Sequence, residues 1–136
     1  MRSHEITIRV RYCECDPLNV AHHSAYAVWF EMGRTELLRA DGVCYAALEQ
    51  AGVSLAVVDL AVKFCKPACY DDLLRLETRL TEASHVKIKH EYTLWRGHDR
   101  LAVASTTLAC LDRSGRAIAL PPLLRRHADR DDGIMP

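Results

Sequence analysis

The sequence predicts an α+β fold in which a five-stranded antiparallel sheet curls around one long central helix. Three observations predict it. A segment of strand period lies near the start, one long stretch of helical period follows it, and four further segments of strand period run to the end of the core. The 136 residues, 49% of them hydrophobic, suit a single domain with a substantial core and are too few for two ordinary domains.

From Glu5 to Tyr12, Ile6, Ile8, Val10 and Tyr12 alternate with Thr7, Arg9 and Arg11, as in a half-buried strand. Cys13 to His23 carries Pro17 and Asn19, holds neither period, and is expected as a loop. Ser24 stands at or beside an N-cap position. Beyond it Tyr26, Trp29, Phe30, Gly33 and Leu37 share one face, to about Ala40, where Asp41-Gly42 stops the helix. At about 1.5 Å per residue this helix spans roughly 24 Å, enough to cross five strands. A short helical piece covers Tyr45 to Gln50 and ends at Gly52.

Four strands follow. Ser54 to Lys66 places Val58, Leu60, Val62 and Phe64 on one face, and Pro67 closes it. Leu73 to Leu80 alternates Leu74, Leu76, Thr78 and Leu80 against Arg75, Glu77 and Arg79. His85 to Trp95 sets Val86, Ile88, His90, Tyr92 and Leu94 against a charged face, and Arg96-Gly97-His98-Asp99 turns the chain. Leu101 to Leu111 is so small and apolar that it is expected as the central strand, covered on both faces. After a turn at Arg113 to Arg116, Pro121-Pro122 permits only a short helix from Leu123 to His127, and residues 129–136 are expected to fray. The chain is therefore expected to be one domain, residues 1–136, with its core at about 5–125.

Composition removes several function classes. Lys plus Arg equal Asp plus Glu at 18 each, so no global field attracts nucleic acid or an anionic membrane. No signal-like h-region or membrane-length apolar run is present, and a cytoplasmic protein is expected. Six scattered cysteines are expected as reduced thiols, with Cys65 and Cys69, flanking Pro67, expected to pack. Cys13-x-Cys15 beside His22-His23 misses the spacing of structural zinc sites, so no metal is expected. Nucleotide-binding glycine motifs, a serine-hydrolase elbow and internal repeats are all lacking, and no cofactor is expected.

The most informative stretch is Arg11 to Tyr26, which leaves a strand, passes an acid and enters the long helix. Arg9-Val10, Cys15-Asp16-Pro17, Asn19-Val20-Ala21-His22-His23, Tyr26, Phe30-Glu31, Arg34 and Glu36 together resemble the hotdog-fold acyl-CoA thioesterases. The resemblance is to the branch containing 4-hydroxybenzoyl-CoA thioesterase and the thioesterase associated with the bacterial Tol-Pal system. It covers about residues 5 to 125. It implies a homodimer or homotetramer with active sites at the subunit interface, Asp16 as the catalytic carboxylate, and the His23 backbone N–H polarising the thioester carbonyl. Many members have glycine where this chain has Asn19, and asparagine tolerates the left-handed backbone such a position needs.

The residue types suit the chemistry. Thioester hydrolysis needs a water or carboxylate at the carbonyl carbon and donors aimed at the oxygen as it becomes negative. First-turn N–H groups are unpaired within a helix and sit at its positive end; each such donor is worth about 3 kcal/mol toward an oxyanion. Asp16 attacks as a nucleophile or deprotonates a water, and the thiolate leaves without a strong acid. From the dipeptide alone, Asp16-Pro17 reads as a turn; the surrounding motif makes it catalytic.

The other candidates carry less. The His22 and His23 rings read as hydrogen-bonding groups, and Cys15 has no fixed activating base. Glu31 and Arg34 read as a helix-surface pair, and the resemblance implies Glu31 as a wall of the site in the partner subunit. Tyr26 is expected to line the acyl pocket. Lys87 and Lys89 belong either to a solvated sheet face or to the CoA phosphates, as do Arg113 and Arg116. Two alternatives to an acyl-CoA thioesterase stay open: acyl carrier protein as the carrier, and a thioester-binding module without turnover.

Overall fold

A computed structural model of the chain describes residues 3–124. Strand β1 (Ser3–Arg9) turns its apolar residues toward α1 (His23–Ala40), which it reaches through a 3-10 turn at Tyr12–Glu14 and a loop. Helix α2 (Tyr45–Gln50) follows, then β2 (Ser54–Phe64), β3 (Leu73–Ala83), β4 (Lys87–Arg96) and β5 (Asp99–Leu111). All strand pairs are antiparallel, in the order β1-β3-β4-β5-β2. Residues 122–124 are helical, and the rest of the expected terminal helix and tail lies outside the described residues.

The alternation that predicts β3 and β4 also predicts their inward faces, whereas on β2 Val58, Leu60 and Phe64 of the expected face are exposed, the register shifting at Val57/Asp59. Leu74, Leu76, Thr78 and Leu80 of β3 and Ile88, His90, Tyr92 and Leu94 of β4 are all buried. The expected central place of β5 is also corrected. β4 stands at the centre of the sheet, and β5 lies between β4 and the edge strand β2. The buried run from Thr106 to Cys110 reports strands on both sides and the segment after Asp112 returning on its end, where the Ile118 N–H donates to the Cys110 carbonyl at 2.9 Å. Burial of a strand records its neighbours and not its rank in the sheet.

Helix α1 stops where Asp41 caps it and Gly42 takes φ 83°, which glycine adopts without strain. Its inward face divides the core into two apolar clusters. Trp29 and Phe30 pack with Leu74, Leu76, Leu94 and Leu101 in one; Leu37 and Leu38 pack with Leu48, Leu80, Ile88 and Leu124 in the other. Each fully buried leucine stabilises by about 2 kcal/mol. Between the clusters runs a buried polar belt of Thr78, His90 and Thr106, with the Tyr92 hydroxyl 2.7 Å from Thr106 Oγ1. Gly33 lets α1 settle onto this belt, because a Cβ there would lie 2.3 Å from Thr78 Oγ1 and 2.8 Å from Leu76 Cδ2.

Candidate active site

The loop after β1 is fixed before it reaches Asp16. Glu14 Oε1 accepts the Arg11 N–H at 2.7 Å, while Oε2 accepts the Trp29 indole N–H at 2.9 Å and the Arg11 guanidinium at 3.3 Å. The Glu14 carbonyl accepts the His22 N–H at 2.8 Å. One residue thus joins the loop both to the helix start and to the second turn of α1. Burial alone would push the Glu14 carboxyl up, but the bonds from Arg11 and Trp29 outweigh it and hold the group below the usual carboxylate range.

The loop then closes on itself. The Asp16 N–H donates to the Val20 carbonyl and the Asn19 N–H to the Asp16 carbonyl, both at 2.9 Å. Asn19 takes φ 66°, the left-handed backbone expected of it. Asp16 Oδ1 accepts the N–H groups of Leu18 at 2.9 Å and Val20 at 3.4 Å, and Oδ2 takes neither bond. These two donors orient a half-buried carboxylate and leave one oxygen for chemistry.

At the helix start the cap is His22 and not Ser24. The backbone of His22 is extended (φ −66°, ψ 146°), and its ring Nδ1 accepts the Ser24 N–H at 3.2 Å, as a serine oxygen would at this position. Its carbonyl accepts the Ala25 N–H at 3.0 Å. Two first-turn donors are therefore spent internally, and the His23 N–H meets no acceptor among the described residues. This is a free donor at the positive end of an 18-residue helix. The imidazoles of His22 and His23 stack at 4.0 Å, and both residues are exposed.

Beside His23 opens a pocket of about 290 Å³, with Ala21, Tyr26, Phe64, Cys65 and Lys66 on its walls. Tyr26 is 3% exposed and meets Phe64 edge-on at 4.9 Å. Burial pushes its hydroxyl up, opposed by a hydrogen bond to the Ala68 backbone. The opposite wall is the loop between β2 and β3, tied down by the Ala21 N–H on the Ala68 carbonyl at 2.7 Å. Within that loop Asp72 Oδ2 accepts the Cys69 N–H at 2.8 Å and Arg96 at 2.7 Å. Burial raises the Asp72 carboxyl, but Cys69 and Arg96 together bring it below its usual range.

The sequence-predicted residues separate into two groups. Asp16, His23 and Tyr26 belong to one continuous stretch of loop and first helical turns. Glu31 lies further along α1, 3.8 Å from Arg34, and lines another cavity. Lys87 and Lys89 are exposed on the outer face of β4, with Lys89 3.7 Å from Glu82. They stand at the far end of β4 from Arg96, about 20 to 30 Å along the strand from the residue that braces the site. Arg113 donates to the Gln50 carbonyl at 2.7 Å, at the end of α2. Cys15 adjoins Asp16, but burial, then the neighbouring Glu14 and Asp16 charges, raise its thiol, which disfavours a nucleophilic thiolate. Glu14, Asp72 and Lys66 were not singled out by sequence, because each meets a partner distant in the chain, Trp29, Arg96 and, at 2.9 Å, Asp99.

One stretch thus carries a carboxylate on a braced loop and, at a helix start beside a pocket, an N–H with no acceptor among the described residues, the two kinds of group that attack on a carbonyl and stabilisation of its oxygen require. The family model of the thioesterase-like superfamily matches residues 10–127. The chain is similar to the acyl-CoA thioesterase YbgC of Haemophilus influenzae, 35% identical over 106 residues, which are 77% of this chain and 78% of that one. It is also similar to the solved structure of a hypothetical protein from Thermus thermophilus, at 34% identity and TM-score 0.87 over 91% and 95% of the two chains. A DHNA-CoA thioesterase from Staphylococcus aureus superposes with TM-score 0.85 at 28% identity, over 88% of this chain and 82% of its own.

Proposed function

The chain belongs to the thioesterase-like superfamily and has the hotdog fold, and from that premise we propose that it is a cytoplasmic acyl-CoA thioesterase whose catalytic pair is Asp16 and the His23 N–H. The observation that carries this reading is the unspent His23 N–H at the start of α1, on the same short stretch as a carboxylate with one oxygen uncommitted. The carbonyl oxygen takes the His23 N–H and becomes negative as the carbon is attacked. If Asp16 attacks, its Oδ2 forms a mixed anhydride, the C–S bond breaks and CoA leaves as thiolate; water then opens the anhydride. If Asp16 acts as base, it takes a proton from water, whose oxygen attacks while the same bond breaks.

The acyl group enters past Tyr26 and Phe64. Lys66, on the same pocket wall and paired with Asp99 at 2.9 Å, is the cation that meets a CoA phosphate by exchanging that partner, and Lys87 and Lys89 contribute only from a neighbouring copy. A second copy has support of its own. β2 is an edge strand with Val58 55% exposed, and Val28 of α1 is 48% exposed, so an apolar face and an unpaired edge await a partner. Side-by-side pairing of sheets in a homodimer, doubled in a homotetramer, covers both and puts the site at the interface. The identity to the Haemophilus acyl-CoA thioesterase supports CoA as the carrier, and the place in the branch that holds the 4-hydroxybenzoyl-CoA enzyme is part of the proposal.

The test is thiol release from one acyl group presented on CoA and on acyl carrier protein, by the wild type and by Asp16→Asn. The variant should lose about 10²- to 10⁴-fold in turnover while still binding the ester. Undiminished hydrolysis overturns the role of Asp16, and ester binding without thiol release by the wild type marks a binding module instead. In ¹⁸O water under single turnover, label entering Asp16 identifies the anhydride route.

A further inference from the structure

Two more openings follow one another along α1 from the pocket at His23. A groove of about 270 Å³ has Ala27, Val28, Val57 and Leu60 on its walls and reaches Glu31 and Arg34. The same Glu31 and Arg34 stand at the rim of a cavity of about 430 Å³ between α1, α2 and the sheet, walled by Leu38, Leu55, Ile88 and Leu108. Glu31 and Arg34 line both, so a passage between the two would run past that pair. Close packing is the rule in protein interiors, and this volume falls in the range of small-molecule sites.

The inner end of the passage is polar at a defined place. The Arg34 side chain is 14% exposed against 70% for Glu31, so the cation faces inward while its carboxylate partner faces water. The buried Tyr92 hydroxyl, 2.7 Å from Thr106 Oγ1, feels the Arg34 charge, and His90, 4% exposed, lines the same cavity. Arg34 lies eleven residues beyond His23, roughly 16 Å along the helix.

Resting on the thioesterase reading, we propose that the acyl group lies along α1 with its far end in this cavity, and that the preferred substrate is a medium-chain acyl group carrying a neutral oxygen, hydroxyl or keto, near that end. A short acyl group held at His23 does not span the distance. The groove walls suit methylenes, whereas a plain alkyl end would further desolvate the Arg34 guanidinium without offering it an acceptor. Glu31 and Glu49 at the rim disfavour a terminal carboxylate.

The experiment compares matched CoA thioesters: a short acyl group, a medium plain chain, and the same chain with a hydroxyl near its far end. The wild type should favour the hydroxylated over the plain chain by about tenfold in kcat/KM, the worth of one hydrogen bond to a charged group. Arg34→Met should bring that ratio to about one and Arg34→Lys should keep part of it. Thr35→Trp, filling the cavity, should lower the medium-to-short ratio by about tenfold. Each readout is a ratio within one preparation, so partial misfolding cancels. A wild-type preference near one, or ratios unmoved in Arg34→Met and Thr35→Trp, overturns the proposal. Thioether analogues, titrated calorimetrically, read the same preference without turnover. Preference in binding with no hydrolysis of any ester refutes the thioesterase and keeps the pocket; hydrolysis without preference does the reverse.

Discussion

The Trp29 indole N–H donates to Glu14 Oε2 at 2.9 Å, across 15 residues of sequence, and so ties the second turn of α1 to the residue two before Asp16. Since the His22 N–H also ends on the Glu14 carbonyl, this one residue sets the distance between the Asp16 loop and the helix start. Glu14→Gln keeps the size but turns one acceptor into a donor, leaving either Trp29 or Arg11 unanswered. We expect kcat to fall about 10- to 100-fold, in line with the cost of small misplacements, with KM little changed. Indole emission in a Trp95→Phe background should shift as Trp29 loses its carboxylate. Wild-type kcat together with unchanged emission would show the loop is held by other contacts.

His23 separates a backbone role from a ring role. It is the first residue of α1, where proline is tolerated because that N–H lies outside the helical hydrogen bonds, and the extended His22 before it suits a following proline. His23→Pro should keep the melting temperature and lose about 10²- to 10³-fold in kcat, the loss seen when one oxyanion donor is removed. His23→Ala should stay close to wild type. The opposite ranking of the two variants would assign the chemistry to the imidazole.

The parts legible in the sequence are those that depend on neighbours in the chain. The inward faces of β3 and β4 follow from alternation, the stop of α1 from Asp41-Gly42, and the left-handed turn from Asn19. Asp16 and His23 stood out through a motif on one continuous stretch. The bracing of that stretch is long-range and left no local trace: Glu14 meets Trp29, Asp72 meets Arg96, and the Ala68 carbonyl meets the Ala21 N–H. Ser24 sits close to the cap, which is His22, because an imidazole nitrogen does there what the pattern assigns to a serine oxygen. The charges of Lys87 and Lys89 were visible, but their end of β4 was not, since that depends on which hairpin lies next to the loop.

Acid should loosen the site before the sheet. Glu14 and Asp72 both have folded-state carboxyls below the usual range, so the unfolded chain binds more protons as pH falls. Their contribution is fully present above the ordinary carboxylate pKa of about 4 and is lost as pH drops through the lowered folded values. Thermal melts from about pH 7 to about pH 3 should show stability falling below about pH 4. Glu14→Gln and Asp72→Asn should each be less stable at neutral pH and show a flatter acid limb. A limb as steep as wild type in both variants would place the acid sensitivity in other carboxylates.

Gly33 offers the sharpest test of how α1 is seated. Its missing side chain leaves room for Thr78 Oγ1 and Leu76 Cδ2, both on residues with no exposed surface, so neither neighbour has space to retreat. Gly33→Ala should therefore lift the helix from β3 in spite of alanine's better helix propensity, at a cost of about 1 to 3 kcal/mol. The urea midpoint should fall with the slope unchanged, since the surface exposed on unfolding is nearly the same. Thr78→Ala in the same chain removes the hydroxyl that the new Cβ meets first. The double variant should then be more stable than the sum of the single effects predicts, by an amount on the order of 1 kcal/mol. Strict additivity would mean that Leu76, and not the polar belt, sets the separation of helix and sheet.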